Sequence, residues 1–259
     1  MPENLRMDSH KLIFHPQRVC DWLNGIDIYP LTVEISLSGA CNHRCIFCGL
    51  DYLGYRPRFI DKELILSNLQ VMYDHGVRAI VLAGEGEPLL NKDASEIIQR
   101  SREIGLDIGM STNGVLLSEP VARQCLPSLT WIRFSINAAG EEQYQVVHRG
   151  RKGDFDRVLQ NLADAVRVKA DLQLDVTIGV QMVLIPESCG PIIEFAGRLK
   201  EIGIDYFSIK PFSKHPQSIC SLDKDFDYAD FSDLETRLQE IASDQFQVLF
   251  RSHAMEKLK

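Results

Sequence analysis

The chain has 259 residues, and 28 Lys and Arg against 36 Asp and Glu leave a formal net charge of −8. Its 45% hydrophobic and 25% charged residues are globular proportions, which excludes a disordered, collagenous or coiled-coil chain. No run approaches the roughly 18 apolar residues of a membrane span, and residues 1–10 are polar with no apolar signal segment behind them. A soluble, cytoplasmic protein is therefore expected, with no membrane partner. The acidic balance weighs against a surface built to grip phosphate backbones, so no nucleic-acid partner is expected.

Residues 1–30 read as a preamble in which His15-Pro16 and Tyr29-Pro30 bias the chain towards extended or turn geometry. From residue 31, short apolar runs alternate with amphipathic stretches. Strands are expected over 31–37, 79–83, 107–110, 131–136, 175–184 and 206–209. Helices are expected over 61–75, 93–104, 119–126, 154–168, 191–202 and 230–242, with Asp61 a cap and Gly76 and Gly105 stops. Strands without period-two alternation, separated by helices, imply a parallel sheet covered on both faces. Six such units fit an open barrel or a flat doubly wound sheet, and in both the ligand site lies at the C-terminal strand ends.

Residues 246–251 are a candidate seventh strand, and 254–259 begin something helical that stops abruptly. The expected division is a preamble (1–30), a core (31–245) and a C-terminal segment (246–259) that starts a further extension, so that the chain is expected to be the core of a longer protein.

Seven cysteines are unevenly placed. Cys20, Cys125, Cys189 and Cys220 stand alone and read as small buried hydrophobes. Cys41, Cys45 and Cys48 form a CxxxCxxC pattern directly after the first strand. A four-cysteine zinc ribbon needs a second CxxC pair, and there is none; His43 would be a fourth zinc ligand only if the loop folded back sharply. Ferredoxin-type clusters take four cysteines. Three suit an iron-sulfur cubane with one iron left to a non-protein ligand.

This loop resembles the CxxxCxΦC signature of the radical S-adenosylmethionine (SAM) enzymes, with Phe47 at the aromatic position Φ. The resemblance implies a partial (βα)6 barrel, a [4Fe-4S] cluster held by Cys41, Cys45 and Cys48, and SAM on the fourth iron. It implies reductive cleavage of SAM to a 5′-deoxyadenosyl radical that abstracts hydrogen from a substrate, with an electron from a reductant such as flavodoxin or ferredoxin. Gly84-Glu85-Gly86-Glu87 resembles the family's GGE motif for the amino group of SAM, with Glu85 interrupting the glycines. Ser111 and Asn113 at the third strand end, and Ser135 and Asn137 at the fourth, resemble segments lining the ribose and carboxylate of SAM. Arg149, in His148-Arg149-Gly150, is then a partner for the carboxylate, with Gln181 and Lys210 as further candidates.

Asp51, Tyr52, Tyr55 and residues 210–215 (KPFSKH) are expected at the barrel mouth, facing a small-molecule, sugar, nucleotide or peptide substrate. The residues assign no catalytic acid, base or radical quencher. The competing readings are a non-catalytic iron-sulfur or zinc module and a methyltransferase-type, non-abstracting variant of the family.

Overall fold

A computed structural model describes residues 11–188, 191–220, 222 and 227–256. Helix α1 (Pro16–Leu23) precedes an alternation of β1 (Thr32–Ile35), α2 (Lys62–Asp74), β2 (Ala79–Leu82), α3 (Ala94–Ile104), β3 (Asp107–Thr112), α4 (Glu119–Cys125) and β4 (Trp131–Ser135). It continues through α5 (Glu141–His148), α6 (Asp154–Asp171), β5 (Thr177–Leu184), α7 (Ile192–Ile202), β6 (Tyr206–Pro211), α8 (Ser232–Ile241), β7 (Gln247–Phe250) and α9 (Ser252–Glu256). The seven strands form one parallel sheet in chain order, with β1 and β7 as its edges, so the barrel is open.

The expected caps and stops are in place. Asp61 accepts from Leu64 N–H (2.9 Å) at the start of α2, and Gly105 ends α3 in a left-handed conformation. Of the two architectures left open by periodicity, the open barrel is the one formed. The segment past residue 245 adds β7 to the same sheet beside β6, so a boundary drawn there does not coincide with a break in the fold. The preamble holds α1 instead of extended chain. Pro16 occupies the first turn, where a missing N–H costs nothing, while His15 before it stays out of the helical region.

α5 escapes the periodicity reading because its buried stripe is Tyr144, Val147 and His148, of which only one is aliphatic. Nor are all the lone cysteines buried. Cys125 is, but Cys20 is exposed on α1, which has no buried residue, and Cys220 is half-buried; Cys189 lies outside the described residues.

The two faces of the sheet differ in chemistry. Ile80, Leu82, Ile108, Ile132, Phe134, Phe207 and Ile209 are fully buried in one core with Leu69, Ile97, Leu162 and Leu199 from the helices. Burying each such side chain contributes about 1.5–3 kcal/mol, enough to offset the roughly 1–2 kcal/mol for ordering one backbone residue. In-register neighbours share a face, and the other face carries Ser111, Arg133, Ser135, Gln181 and Ser208. Its floor is aromatic. The Trp131 ring covers Gly109 and the Tyr206 ring covers Gly179, where an added Cβ would lie 2.1 and 2.2 Å from ring atoms. Polar side chains above this plug point into the barrel from the strand ends.

Candidate functional site

The cysteine loop follows β1 at the C-terminal edge of the sheet and is pinned by α5. Arg44 N–H donates to His148 O (3.0 Å) and Ile46 N–H to Val147 O (2.9 Å). The last carbonyls of a helix lack partners within it, so the end of α5 is a ready acceptor for loop amides. From the other side, Glu87 N–H donates to Ala40 O (2.8 Å) and Ser218 Oγ to Cys48 O (3.2 Å).

Two of the three thiols face a hydrogen-bond donor. His43 N–H points at Cys41 Sγ (3.4 Å), while Cys48 neighbours Tyr55 and, after burial, raises the pKa of that hydroxyl. His148 Nδ1 lies 3.2 Å from Cys45 Sγ. The tautomer of His148 follows from its other nitrogen: Asn137 N–H donates to Nε2 (2.9 Å), so Nε2 carries the lone pair and Nδ1 the proton. Burial, then the neighbouring His43, lowers the His148 pKa and keeps the ring neutral. Its single N–H is thus aimed at sulfur.

Burial pushes the Cys41 thiol up to about 11 and raises Cys45 well above its ordinary value. As they stand these groups are protonated near neutral pH, and a soft metal displaces the protons on binding. Donors directed at the sulfurs strengthen once the sulfurs are thiolates. Three thiols in one short loop, two of them facing donors, fit an iron-sulfur cluster. Ile46, Phe47, Phe212 and Cys220 pack on buried Val147, Val183, Ile185 and Leu222 beside the loop and give it a dry apolar flank.

The remaining expected residues fall into distinct roles. Gly84 and Gly86 have φ of 90° and 72°. A Cβ on Gly86 would lie 2.1 Å from Ser38 O and 2.5 Å from Ala40 O, so glycine lets the β2 loop press against the cysteine loop. Gly86→Ala is expected to lower stability by about 1–3 kcal/mol and to impair metal loading, read by thermal denaturation and iron content. The intervening Glu85 turns outward to Arg58 (2.9 Å).

Glu87 is buried and accepts from Thr112 Oγ1 (2.6 Å), Asn113 N–H (2.8 Å) and Leu89 N–H (3.2 Å). Burial raises its pKa against the pull of those donors. It ties the β2 and β3 ends together, and Asn113 extends the tie by donating to Asn42 Oδ1 (2.6 Å) within the cysteine loop. Ser111 Oγ accepts from Arg133 (2.8 Å). Asn137 is fully buried between Ser135 Oγ (3.1 Å), Val183 N–H (2.6 Å) and the His148 ring. Arg149 is exposed and closes α5 with φ of 49°, so the residue of that motif which reaches the cysteines is its neighbour His148.

The role of His148 is not legible from its motif alone. The available signal was Tyr144 four residues earlier, whose ring stacks on His148 at 4.2 Å. The mouth residues pair across loops: Tyr52 stacks on His215 (5.1 Å), and Asp51 accepts from Ile219 N–H (3.0 Å).

Against known families, the model described as the Radical SAM superfamily matches residues 35–188. The chain belongs to the radical SAM superfamily. Members of this superfamily bind a [4Fe-4S] cluster and SAM. Among curated relatives, a probable GTP 3′,8-cyclase of Saccharolobus solfataricus is 31% identical over 137 residues, 52% of this chain and 44% of that protein. One from Sulfolobus acidocaldarius is 26% identical over 218 residues, 83% of this chain and 66% of its own length. The chain thus spans less than half of the first of these radical SAM relatives.

Among solved structures, Streptococcus suis SuiB bound to S-adenosylmethionine superposes with a TM-score of 0.72 at 18% identity, over 96% of this chain and 58% of that one. Native anSMEcpe with bound AdoMet does so at 0.59 and 17%, over 86% and 64%. At these identities the likeness is one of fold, and it is the open radical SAM barrel. No helix among the described residues is long and apolar enough to cross a membrane.

Proposed function

We propose that this chain is a radical SAM catalytic core in which Cys41, Cys45 and Cys48 hold the cluster and the ends of β2 to β4 hold SAM. When bound, the cluster supplies one electron that cleaves SAM to methionine and a 5′-deoxyadenosyl radical, which takes a hydrogen atom from the substrate. The observation that carries this reading is the set of three thiols gathered at the C-terminal end of β1 with donors facing Cys41 and Cys45.

The rest is the work of the chain's own residues. His148 Nδ1–H and His43 N–H stabilise negative charge on sulfur, and hydrogen bonds to sulfur set a cluster's potential. Glu87 and Asn113 hold the β2 and β3 ends against the cysteine loop, where Ser111, Ser135 and the Gly84–Gly86 backbone line the approach for SAM. Ile46 and Phe47 exclude water. A flavodoxin or ferredoxin delivers the electron, and the substrate, a small molecule or a peptide, enters from the strand ends.

Anaerobic reconstitution with iron and sulfide, reduction and product analysis test this reading. Iron and sulfide uptake together with 5′-deoxyadenosine is the expected result. Intact SAM under strong reductant on an iron-loaded protein would overturn it.

A mononuclear metal site is the second reading, because ligand atoms of His43, Cys45 and His148 lie within 4.8 Å of one another. It conflicts with the His148 tautomer. Ligation through Nδ1 moves the proton to Nε2, which then faces the Asn137 N–H, and an unsatisfied buried donor costs about 1–3 kcal/mol. Purified protein holding one zinc and no iron would favour this reading.

A further inference from the structure

Three cations line the inward face of the sheet, and among the described residues none has an ion-pair partner. Lys210 near the end of β6 and Arg251 just past β7 are lateral neighbours. Ile209 pairs with Phe250, and Arg251 N–H donates to Ile209 O (3.0 Å), which carries the pairing one residue further. Both alternate with the core-facing Ile209 and Phe250 and so sit on the inward face. Arg133 shares that face on β4, with its guanidinium on two uncharged groups, Ser111 Oγ (2.8 Å) and the Trp131 ring (5.4 Å). Glu34, exposed on β1, attracts Arg133 without touching it.

Two further observations point to a missing ligand. Ser208, two residues before Lys210 on the same face of β6, is fully buried and its Oγ has no hydrogen-bond partner. Burial, then Arg133 and Arg251, lowers the Lys210 pKa, which marks a cation held beside like charges. Half-buried cations without a counter-ion are costly, and lysine and arginine side by side match an oxyanion. The cysteine loop, Glu87 and Asn113 follow β1, β2 and β3, at the other end of the sheet from β6 and β7. Lys210 and Arg251 therefore stand across the barrel from the SAM-side residues, with Arg133 on β4 between the two.

We propose that Lys210 and Arg251, with Ser208 as a hydroxyl donor and Arg133 beneath, form a subsite for an anionic group of the substrate, a phosphate or carboxylate. The assignment rests on the reading that the β1 to β4 ends hold the cluster and SAM, since it makes the β6 and β7 side of the barrel the place for the substrate. The other source of such an oxyanion is the carboxylate of SAM itself, and the test separates the two.

The cluster-loaded protein is titrated calorimetrically at low ionic strength with inorganic pyrophosphate, with malonate and, separately, with SAM. One of the two anions is expected to saturate one site per chain. Lys210→Met and Arg251→Met each weaken that binding tenfold or more, Lys210→Arg keeps it within threefold, and SAM affinity moves less than twofold throughout. The proposal fails if neither anion binds the wild type, if anion binding survives both methionine variants, or if SAM affinity falls in step with anion binding. A wild type that takes up the anion but not SAM counts against the cofactor reading and leaves the cation cluster standing.

Discussion

Cys45→Ala yields a folded protein that retains neither iron nor sulfide and no longer converts SAM to 5′-deoxyadenosine. The fold survives because the loop is anchored by main-chain groups on either side of residue 45, the Arg44 and Ile46 amides donating to His148 O and Val147 O. The chemistry does not, since removing one member of a set that acts as a unit removes nearly the whole effect, on the order of 10⁴-fold or more. Iron and sulfide analysis, visible absorption and product quantification under dithionite measure it, with circular dichroism as the control for folding. Substantial cleavage by this variant would exclude the three-cysteine ligand set.

His148→Phe separates the donor from the bulk. Phenylalanine keeps the stack on Tyr144 but removes the Nδ1–H aimed at Cys45 and leaves the Asn137 N–H without its acceptor. A donor to sulfur favours the more negative, reduced cluster, so its loss lowers the midpoint potential and makes reduction harder. Loss of an outer partner of this kind costs about 10- to 100-fold in activity or metal affinity, and the orphaned amide costs about 1–3 kcal/mol of stability. A potentiometric titration followed by electron paramagnetic resonance reads the first effect and thermal denaturation the second. An unchanged potential with reduced stability would make His148 a packing residue only.

The two substitutions differ in how far the sequence foretells them. Cys41, Cys45 and Cys48 are close in the chain, so their spacing is visible as a word, and its resemblance to the family signature implies the cofactor. The strand and helix alternation is equally local, because apolar runs such as 79–83 and stops such as Gly105 act on their immediate neighbours. Pairing between β6 and β7 is less local, which is why residues 246–251 read only as a candidate strand although they extend the sheet.

His148 is the opposite case. It meets Cys45 across 103 positions, and a histidine at the end of a short helix with one aliphatic buried residue gives no periodic signal. Glu87 and Asn113 were legible as site residues but not in what they do. The burial that turns Glu87 into a clamp on Thr112 and Asn113 arises only when β2 and β3 lie side by side.

Composition and periodicity determined by themselves the parallel α/β architecture and the end of the sheet expected to carry the site, and the cysteine spacing a three-thiolate cluster; SAM came with the family resemblance of that spacing. All but the last follow from interactions within a few residues or from chemical identity. Only the tertiary structure decided which nitrogen of His148 bears the proton, which sulfur it faces, and that Lys210 and Arg251 stand side by side with no counter-ion among the described residues. Those features depend on the direction of side chains from distant strands meeting in a low-dielectric interior, where a single hydrogen bond or an unpaired charge carries far more weight than in water.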